Sequence, residues 1–288
     1  MSSPKDGPSL NFKAFGDGGP KVSEIDMGTY YDPQWIATAK SFGWARGASS
    51  KVEALKAGLD GGINLIDTAE IYGSEPLVAR AIKGRRREDI FIATKVWSNH
   101  LRRDALVRAL EKSLKRLETS YVDLFQVHFP NSRVPIAETM AAMEEMKDKG
   151  MLLFIGVSNF SLQQTMDANT ALKKSQLASN QVQYSLAHRD IEADILPYCQ
   201  SNKMSVLPYY PLGHGKLANA GSRRKMEAIC SAYSKTSAQV ALNWLVAGRD
   251  VFAIPRASRA DHVREDMGAS GWELRPEDRA SLEAAFPR

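Results

Sequence analysis

The sequence predicts an α/β fold, a single (β/α)8 TIM barrel with an N-terminal hairpin. Three observations predict it. Short apolar runs alternate with helical stretches eight times along the 288 residues. No Pro/Gly/Ser-rich linker separates the repeats, so residues 1–288 read as one domain. Polar residues of chemical use recur where the apolar runs stop, and in a barrel all those stops open on one face. The length suits one barrel, which needs about 250 residues. An open doubly wound sheet would want G-x-G-x-x-G after an early strand. The early cluster Gly16–Gly19 precedes the first core strand and opens no helix.

Taken in order, residues 1–9 are polar and read as a loose tail. Leu10–Phe12 and Ala14–Phe15 beside the turn-rich Gly16–Pro20 predict a hairpin. Val22–Gly28 is the first core strand. Lys51–Leu59 is helical, Ile63–Ile66 is a strand ending in Asp67, and Leu77–Ile82 is helical. Ile90–Ala93 runs into Thr94 and Lys95. Asp104–Leu117 carries Leu106, Leu110, Leu114 and Leu117 at helical spacing. Val122–Val127 ends in His128, and Ile136–Lys149 stops at Gly150, a helix-ending glycine. Phe154–Val157 ends in Ser158-Asn159, with a helix from Leu162. Asn180–Tyr184 and Val206–Tyr210 are strands; Ile191–Asn202, Arg224–Tyr233 and Ser237–Val246 are helices. Phe252–Ile254 is the last strand, and Arg259–Met267 and Pro276–Phe286 close the chain as helices.

The composition is that of an ordinary globular protein, with 43% hydrophobic and 25% charged residues. The net charge of +5 is spread out. Its densest run, Lys83–Arg87, lacks the wide basic and aromatic surface that nucleic acids require. A few well-placed arginines suit a small anionic ligand better. Cys199 and Cys230 fit neither a disulfide framework nor a zinc site. The N-terminus has no signal-like apolar core, and no run reaches the ~18 apolar residues of a membrane span. The expectation is a cytoplasmic protein, monomeric, with no metal, membrane or nucleic-acid partner.

Asp67, Tyr72, Lys95 and His128 form the most informative set. A lysine at the end of an apolar strand loses hydration, which disfavours its charge. A carboxylate about 4 Å away offsets this by ~4 kcal/mol at an effective dielectric near 20. Asp67 is the natural partner. Tyr72 lies five residues beyond Asp67, within loop reach. A neighbouring ammonium is expected to lower the phenol pKa from about 10, making Tyr72 a proton donor near neutral pH. His128 would hydrogen-bond a carbonyl oxygen and orient it.

These residues sit in a series of motifs. They are Gly62-Ile-Asn-Leu-Ile-Asp-Thr-Ala-Glu-Ile-Tyr-Gly73, Ala93-Thr-Lys95, Gln126-Val-His128 and Gly156-Val-Ser-Asn-Phe160. Asn180-Gln-Val-Gln-Tyr184, Tyr209-Tyr-Pro-Leu-Gly213 and Ile254-Pro-Arg-Ala-Ser-Arg259 follow. In order and spacing the chain resembles the aldo-keto reductases over nearly its whole length. The resemblance implies reduction of aldehydes or ketones to alcohols with NADPH/NADP+ as cofactor. Tyr72 would be the general acid, Lys95 and Asp67 would tune it, and His128 would orient the substrate. Ser158, Asn159 and Gln181 would hold the nicotinamide carboxamide, and Tyr209 would stack on its ring. Thr29, in a first-strand signature Gly28-Thr29-Tyr30, would lie near the cofactor. Leu212 and Gly213 would follow the pyrophosphate. Arg256 and Arg259 would grip the adenosine end, and two guanidinium groups suit a 2′-phosphate. Tyr30, Trp97 and Phe129 would line the substrate pocket beside Tyr72.

Four positions depart from the family pattern: Tyr210 for a common serine or glycine, Ala257 for a hydroxyl, His262 for an arginine, and Asp266 for an asparagine. These bear on cofactor preference rather than on the catalytic set. The short tail after the last helix predicts an open site for small carbonyl substrates. Two alternatives stay open: an NADP-binding regulatory or sensor subunit with weak reductase activity, and a barrel aldolase using Lys95 as Schiff-base former.

Overall fold

The computed structural model describes residues 9–42 and 47–287. The expected loose tail therefore lies outside the described residues except for Ser9.

The hairpin pairs β1 (Phe12–Ala14) with β2 (Lys21–Ser23) in antiparallel register, Phe12 opposite Ser23. Phe15 follows β1 and is fully buried. Its ring centre lies 4.7 Å from that of Phe91, 5.4 Å from Phe252 and 6.1 Å from Phe154. These three lie in the amino-terminal halves of their staves, so the hairpin plugs that end of the barrel.

Seven parallel strands follow in sequential order: β3 (Met27–Gly28), β4 (Leu65–Asp67), β5 (Phe91–Val96), β6 (Val122–Val127), β7 (Leu152–Ser158), β8 (Ser179–Gln183) and β9 (Ser205–Tyr209). Residues 251–256 supply the eighth stave. Val251 pairs with Val206 on one side, and Ala253 and Arg256 pair with Ile25 and Gly28 on the other. This stave makes separate bridges rather than a continuous ladder, and Pro255 within it has no N–H to donate. The close approach needs glycine at 28, where a Cβ would stand 2.9 Å from the Ile254 carbonyl oxygen.

Side chains alternate along each stave. On β5, Phe91 and Ala93 join the apolar core inside the barrel, while Ile92 and Val96 join the core under the helices. Lys95 continues the inward phase. The same period puts Asp67, His128, Ser158, Gln181 and Tyr209 at the carboxyl-terminal mouth.

The helices are α1 (Pro33–Phe42), α2 (Ala48–Asp60), α3 (Glu75–Ile82), α4 (Arg103–Leu117), α5 (Ile136–Asp148), α6 (Leu162–Ala171), α7 (Ile195–Ser201), α8 (Ala220–Tyr233), α9 (Ser237–Val246), α10 (Ala260–Met267) and α11 (Pro276–Ala285). On α4 the leucines at 106, 110, 114 and 117 are all buried. Each contributes about 2 kcal/mol of burial.

Three elements differ from expectation. The run Val22–Gly28 is two strands, because Glu24 leaves the sheet to accept hydrogen bonds from Ser270 Oγ (2.6 Å) and Asn11 Nδ2 (3.2 Å). Helix α1 was not expected from the sequence. The stretch Ile191–Asn202 breaks at Asp194 (φ −148°), whose carboxylate accepts from the Ile195 N–H and starts α7 there.

Candidate active site

The carboxyl-terminal mouth opens into an elongated cavity of about 1630 Å³. One end is walled by Tyr72, Trp97 and His128, the middle by Tyr209–Leu212, and the far end by Lys235, Arg256 and Asp266. Drug-sized ligands usually take 300–1,000 Å³. This cavity has room for a dinucleotide together with a small substrate.

At the near end, Lys95 Nζ donates to Asp67 Oδ1 at 2.6 Å and to the Thr68 carbonyl at 2.9 Å. Gln181 Nε2 donates to the other Asp67 oxygen at 2.8 Å. The aspartate is thus held from both sides, and the lysine is fully buried. Burial pulls the Lys95 pKa down, and the Asp67 carboxylate opposes that pull. Lys95 does not line the cavity. No carbonyl substrate reaches its amine here, which removes the ground for the Schiff-base alternative.

Tyr72 sits above this pair, on a turn completed by Gly73 at φ 69°. Lys95 Nζ lies 5.1 Å from the centre of its ring. Its hydroxyl is 3.3 Å from His128 Nε2. Here the sequence expectation is corrected. The Tyr72 pKa is raised, not lowered, first by burial and then by the Asp67 charge. The phenol therefore holds its proton firmly near neutral pH. Burial, helped by the Lys95 charge, pushes the His128 pKa down to about 2, so its imidazole is neutral. His128 Nδ1 is buried without a partner. A buried N–H without a partner is costlier than an unused lone pair, which assigns the proton to Nε2.

The structure sorts the remaining predicted residues. Ser158, Asn159, Gln181, Tyr209, Leu212 and Arg256 line the cavity, as do Tyr30, Trp97 and Phe129. Asn159 stands at φ 60° and donates to the His128 carbonyl at 2.9 Å, while Tyr209 Oη donates to its Oδ1 at 2.8 Å. That bond anchors the hydroxyl end of the Tyr209 side chain. Phe129 stacks on His128 (5.2 Å, 12° between planes), and Trp97 meets the same imidazole edge-on at 5.2 Å.

Three predicted cofactor residues do not face the cavity. Thr29 is fully buried, its hydroxyl donating to the Asp67 carbonyl and paired with Ser74 Oγ at 2.9 Å. Gly213 turns the chain at φ 60°, with its N–H on the Tyr210 carbonyl. Arg259 points out and forks onto Asp261 at 3.0 and 2.6 Å. Conversely, sequence reasoning passed over Lys235, Arg223, Arg224 and His214, all of which line the cavity. For Lys235 a signal was present: it directly precedes the capping box Thr236/Gln239 that starts α9. Among the described residues, no group of three or more His, Cys, Asp or Glu could hold a metal ion. Among them, too, no helix is long and apolar enough to cross a membrane.

This architecture and mouth define a class, and the comparisons with known proteins agree with it. The model of the aldo/keto reductase family matches residues 38–286, and the chain belongs to that family. The chain is 35% identical over 268 residues to the methylglyoxal reductase YeaE of Escherichia coli K12, covering 91% of this chain and 90% of that one. Among solved structures, it is similar to the thermostable aldo-keto reductase Tm1743 crystallised with the inhibitor epalrestat (37% identity, TM-score 0.87, 96% and 99% of the two chains). It is also similar to an aldo-keto reductase from Klebsiella pneumoniae in complex with NADPH (33%, TM-score 0.86, 97% and 96%).

Proposed function

We propose that this protein is an NADPH-dependent reductase of aldehydes and ketones in which Tyr72 delivers the proton. The observation that carries this reading is the Tyr72 hydroxyl 3.3 Å from a neutral His128, above the buried Lys95–Asp67 pair, at one end of a dinucleotide-sized cavity. The cavity suits the cofactor: Tyr209 offers a ring anchored through its hydroxyl, Ser158, Asn159 and Gln181 offer amide and hydroxyl partners, and Arg256 and Lys235 bring positive charge to the far end. NADPH supplies the hydride.

The chain's own groups do the rest. His128 Nε2–H and the Tyr72 hydroxyl converge on the substrate oxygen, fixing the carbonyl and polarising it. As negative charge develops there, Tyr72 gives up its proton, and the phenolate left behind is stabilised by the Lys95 ammonium. Asp67 keeps that ammonium charged in a site that would otherwise strip its proton. The raised pKa of Tyr72 keeps the donor loaded until this moment. Alcohol oxidation would run the same path backwards, with Tyr72 as base.

The YeaE relative makes short ketoaldehydes the first substrates to assay, followed by aromatic aldehydes. Expected is NADPH consumption with at least one of these, and a kcat/KM at least tenfold lower with NADH. Tight NADPH binding with no turnover on the whole panel would favour the regulatory-subunit reading instead. Equal kcat/KM for the two cofactors would remove the NADPH preference.

A further inference from the structure

Trp97 and Phe129 bracket His128 at the substrate end of the cavity, with ring centres 5.5 Å from each other. Both rings stand on loops, and an exposed loop does not hold a wall by itself. The loop of Trp97 is pinned from two directions. Asn131 Nδ2 donates to the Ser98 carbonyl at 2.7 Å. From the other side comes Glu70, two residues before Tyr72. Its Oε1 accepts the Trp97 backbone N–H, and His100 Nδ1–H donates to the same carboxylate at 3.0 Å. The Glu70 backbone is itself tied, its N–H donating to the Lys95 carbonyl at 3.1 Å. The side chain is only 10% exposed, against 44% for His100. A carboxylate this enclosed is costly to bury, and its hydrogen bonds to Trp97 and His100 offset that cost.

We propose that Glu70 is a positioning residue that holds Trp97 against His128, and so sets the preference for carbonyls bearing a flat apolar substituent. The carboxylate links the turn that carries the proton donor to the turn that carries the wall. A substrate ring or planar dicarbonyl then packs against the wall that Trp97 and Phe129 form in edge-to-face contact, and meets Tyr72 in register. Without the carboxylate the Trp97 N–H loses its acceptor, the turn over residues 97–100 loosens, and the Trp97 side of the wall gives way. Tyr72, Lys95 and the cofactor wall do not depend on this link.

The proposal rests on the carbonyl-reductase reading, so its test includes a readout that needs no turnover. The chain has five tryptophans, and fluorotryptophan labelling resolves them by fluorine NMR, with W97F assigning Trp97. E70A should shift and broaden the Trp97 resonance. It should raise KM for an aromatic aldehyde about tenfold, with kcat and NADPH affinity within about twofold of wild type. E70Q keeps an oxygen for the Trp97 N–H and should restore most of that KM. In the W97A background, E70A should add nothing. Should E70A fail to fold, E70D should move the same resonance and raise KM by a smaller factor. An unmoved Trp97 resonance, additive effects of E70A and W97A, or equal losses in kcat and NADPH affinity would overturn the proposal. An inactive wild type with the expected shift would sink the reductase reading and leave the link from Glu70 to Trp97 standing.

Discussion

The two ends of the cavity are built by different means. At the near end, Asp67, Lys95 and His128 lie on or directly after β4, β5 and β6, and Tyr72 stands on the turn after β4. Barrel register places them: Asp67 pairs with Ala93, and Lys95 with Gln126, in adjoining parallel ladders of one sheet. Every polar group of Asp67 and Lys95 is committed inside the protein. At the far end the lining comes from α8, α9, α10 and the loop after the eighth stave. There Arg256 donates to the Tyr31 carbonyl at 2.7 Å, and Lys235 donates to the Gly268 carbonyl at 3.1 Å. The near end is a closed cluster of ionisable groups hydrogen-bonded to one another and to the strand ends. The far end is an assembly of loop and helix cations.

The difference yields graded predictions. The largest effect is expected at the near end. Lys95→Met should lower kcat by about 10²–10³-fold, the range for losing a preorganised charge. It also leaves Asp67 buried without its cation, a loss of about 3–5 kcal/mol in stability. Denaturant unfolding and single-turnover kinetics separate the two. A K95M variant that unfolds like wild type would show that the pair is not buried as described.

At the far end, Arg256→Ala should raise the NADPH Kd by about 10–100-fold, as expected for losing a charge-assisted hydrogen bond. Arg259→Ala should change it less than twofold, since its guanidinium is spent on Asp261 in solvent. Comparable losses at Arg256 and Arg259 would restore the expectation drawn from the sequence, that both grip the adenosine end, and contradict the placement seen here.

Asp266 gives a test of stability against pH. Burial, with the Glu265 charge, raises its carboxyl pKa from 3.8 to about 8. A carboxyl whose pKa is higher folded than unfolded contributes stability that is fully present below pH 3.8. That stability is lost progressively as pH rises to about 8. Asp266→Asn should remove this slope and stabilise the ligand-free protein by a few kcal/mol at pH 8, with no gain at pH 4. Parallel unfolding profiles for D266N and wild type would show that the carboxyl is solvated.

The same contrast explains what was legible in the sequence. Strand ends are legible because a two-residue period and the barrel's closure leave each inward residue one place to go. Hence the eight staves could be read, and with them the gathering of Asp67, His128, Ser158, Asn159 and Gln181 at one mouth. The pKa of Tyr72 could not, because its sign depends on how deeply the ring is buried and on which charge, Asp67 or Lys95, acts on it more strongly. Arg259 was misplaced because a local partner two residues on, Asp261, outcompetes the cavity for its guanidinium. Lys235 was missed because the capping box after it marks the start of α9, while tertiary packing decides that this start faces the mouth. Thr29 shows a third case, where a motif residue near the site serves the strand junction through Asp67 and Ser74.

The central claim is that Tyr72 is the proton donor and acts from a site whose cofactor end is independent of it. The most direct measurement is NADPH-dependent carbonyl reduction by Tyr72→Phe beside an NADPH binding isotherm on the same protein. The account predicts kcat lowered by about 10²-fold or more, with the NADPH Kd within about twofold of wild type. A Y72F protein that turns over like wild type would contradict it.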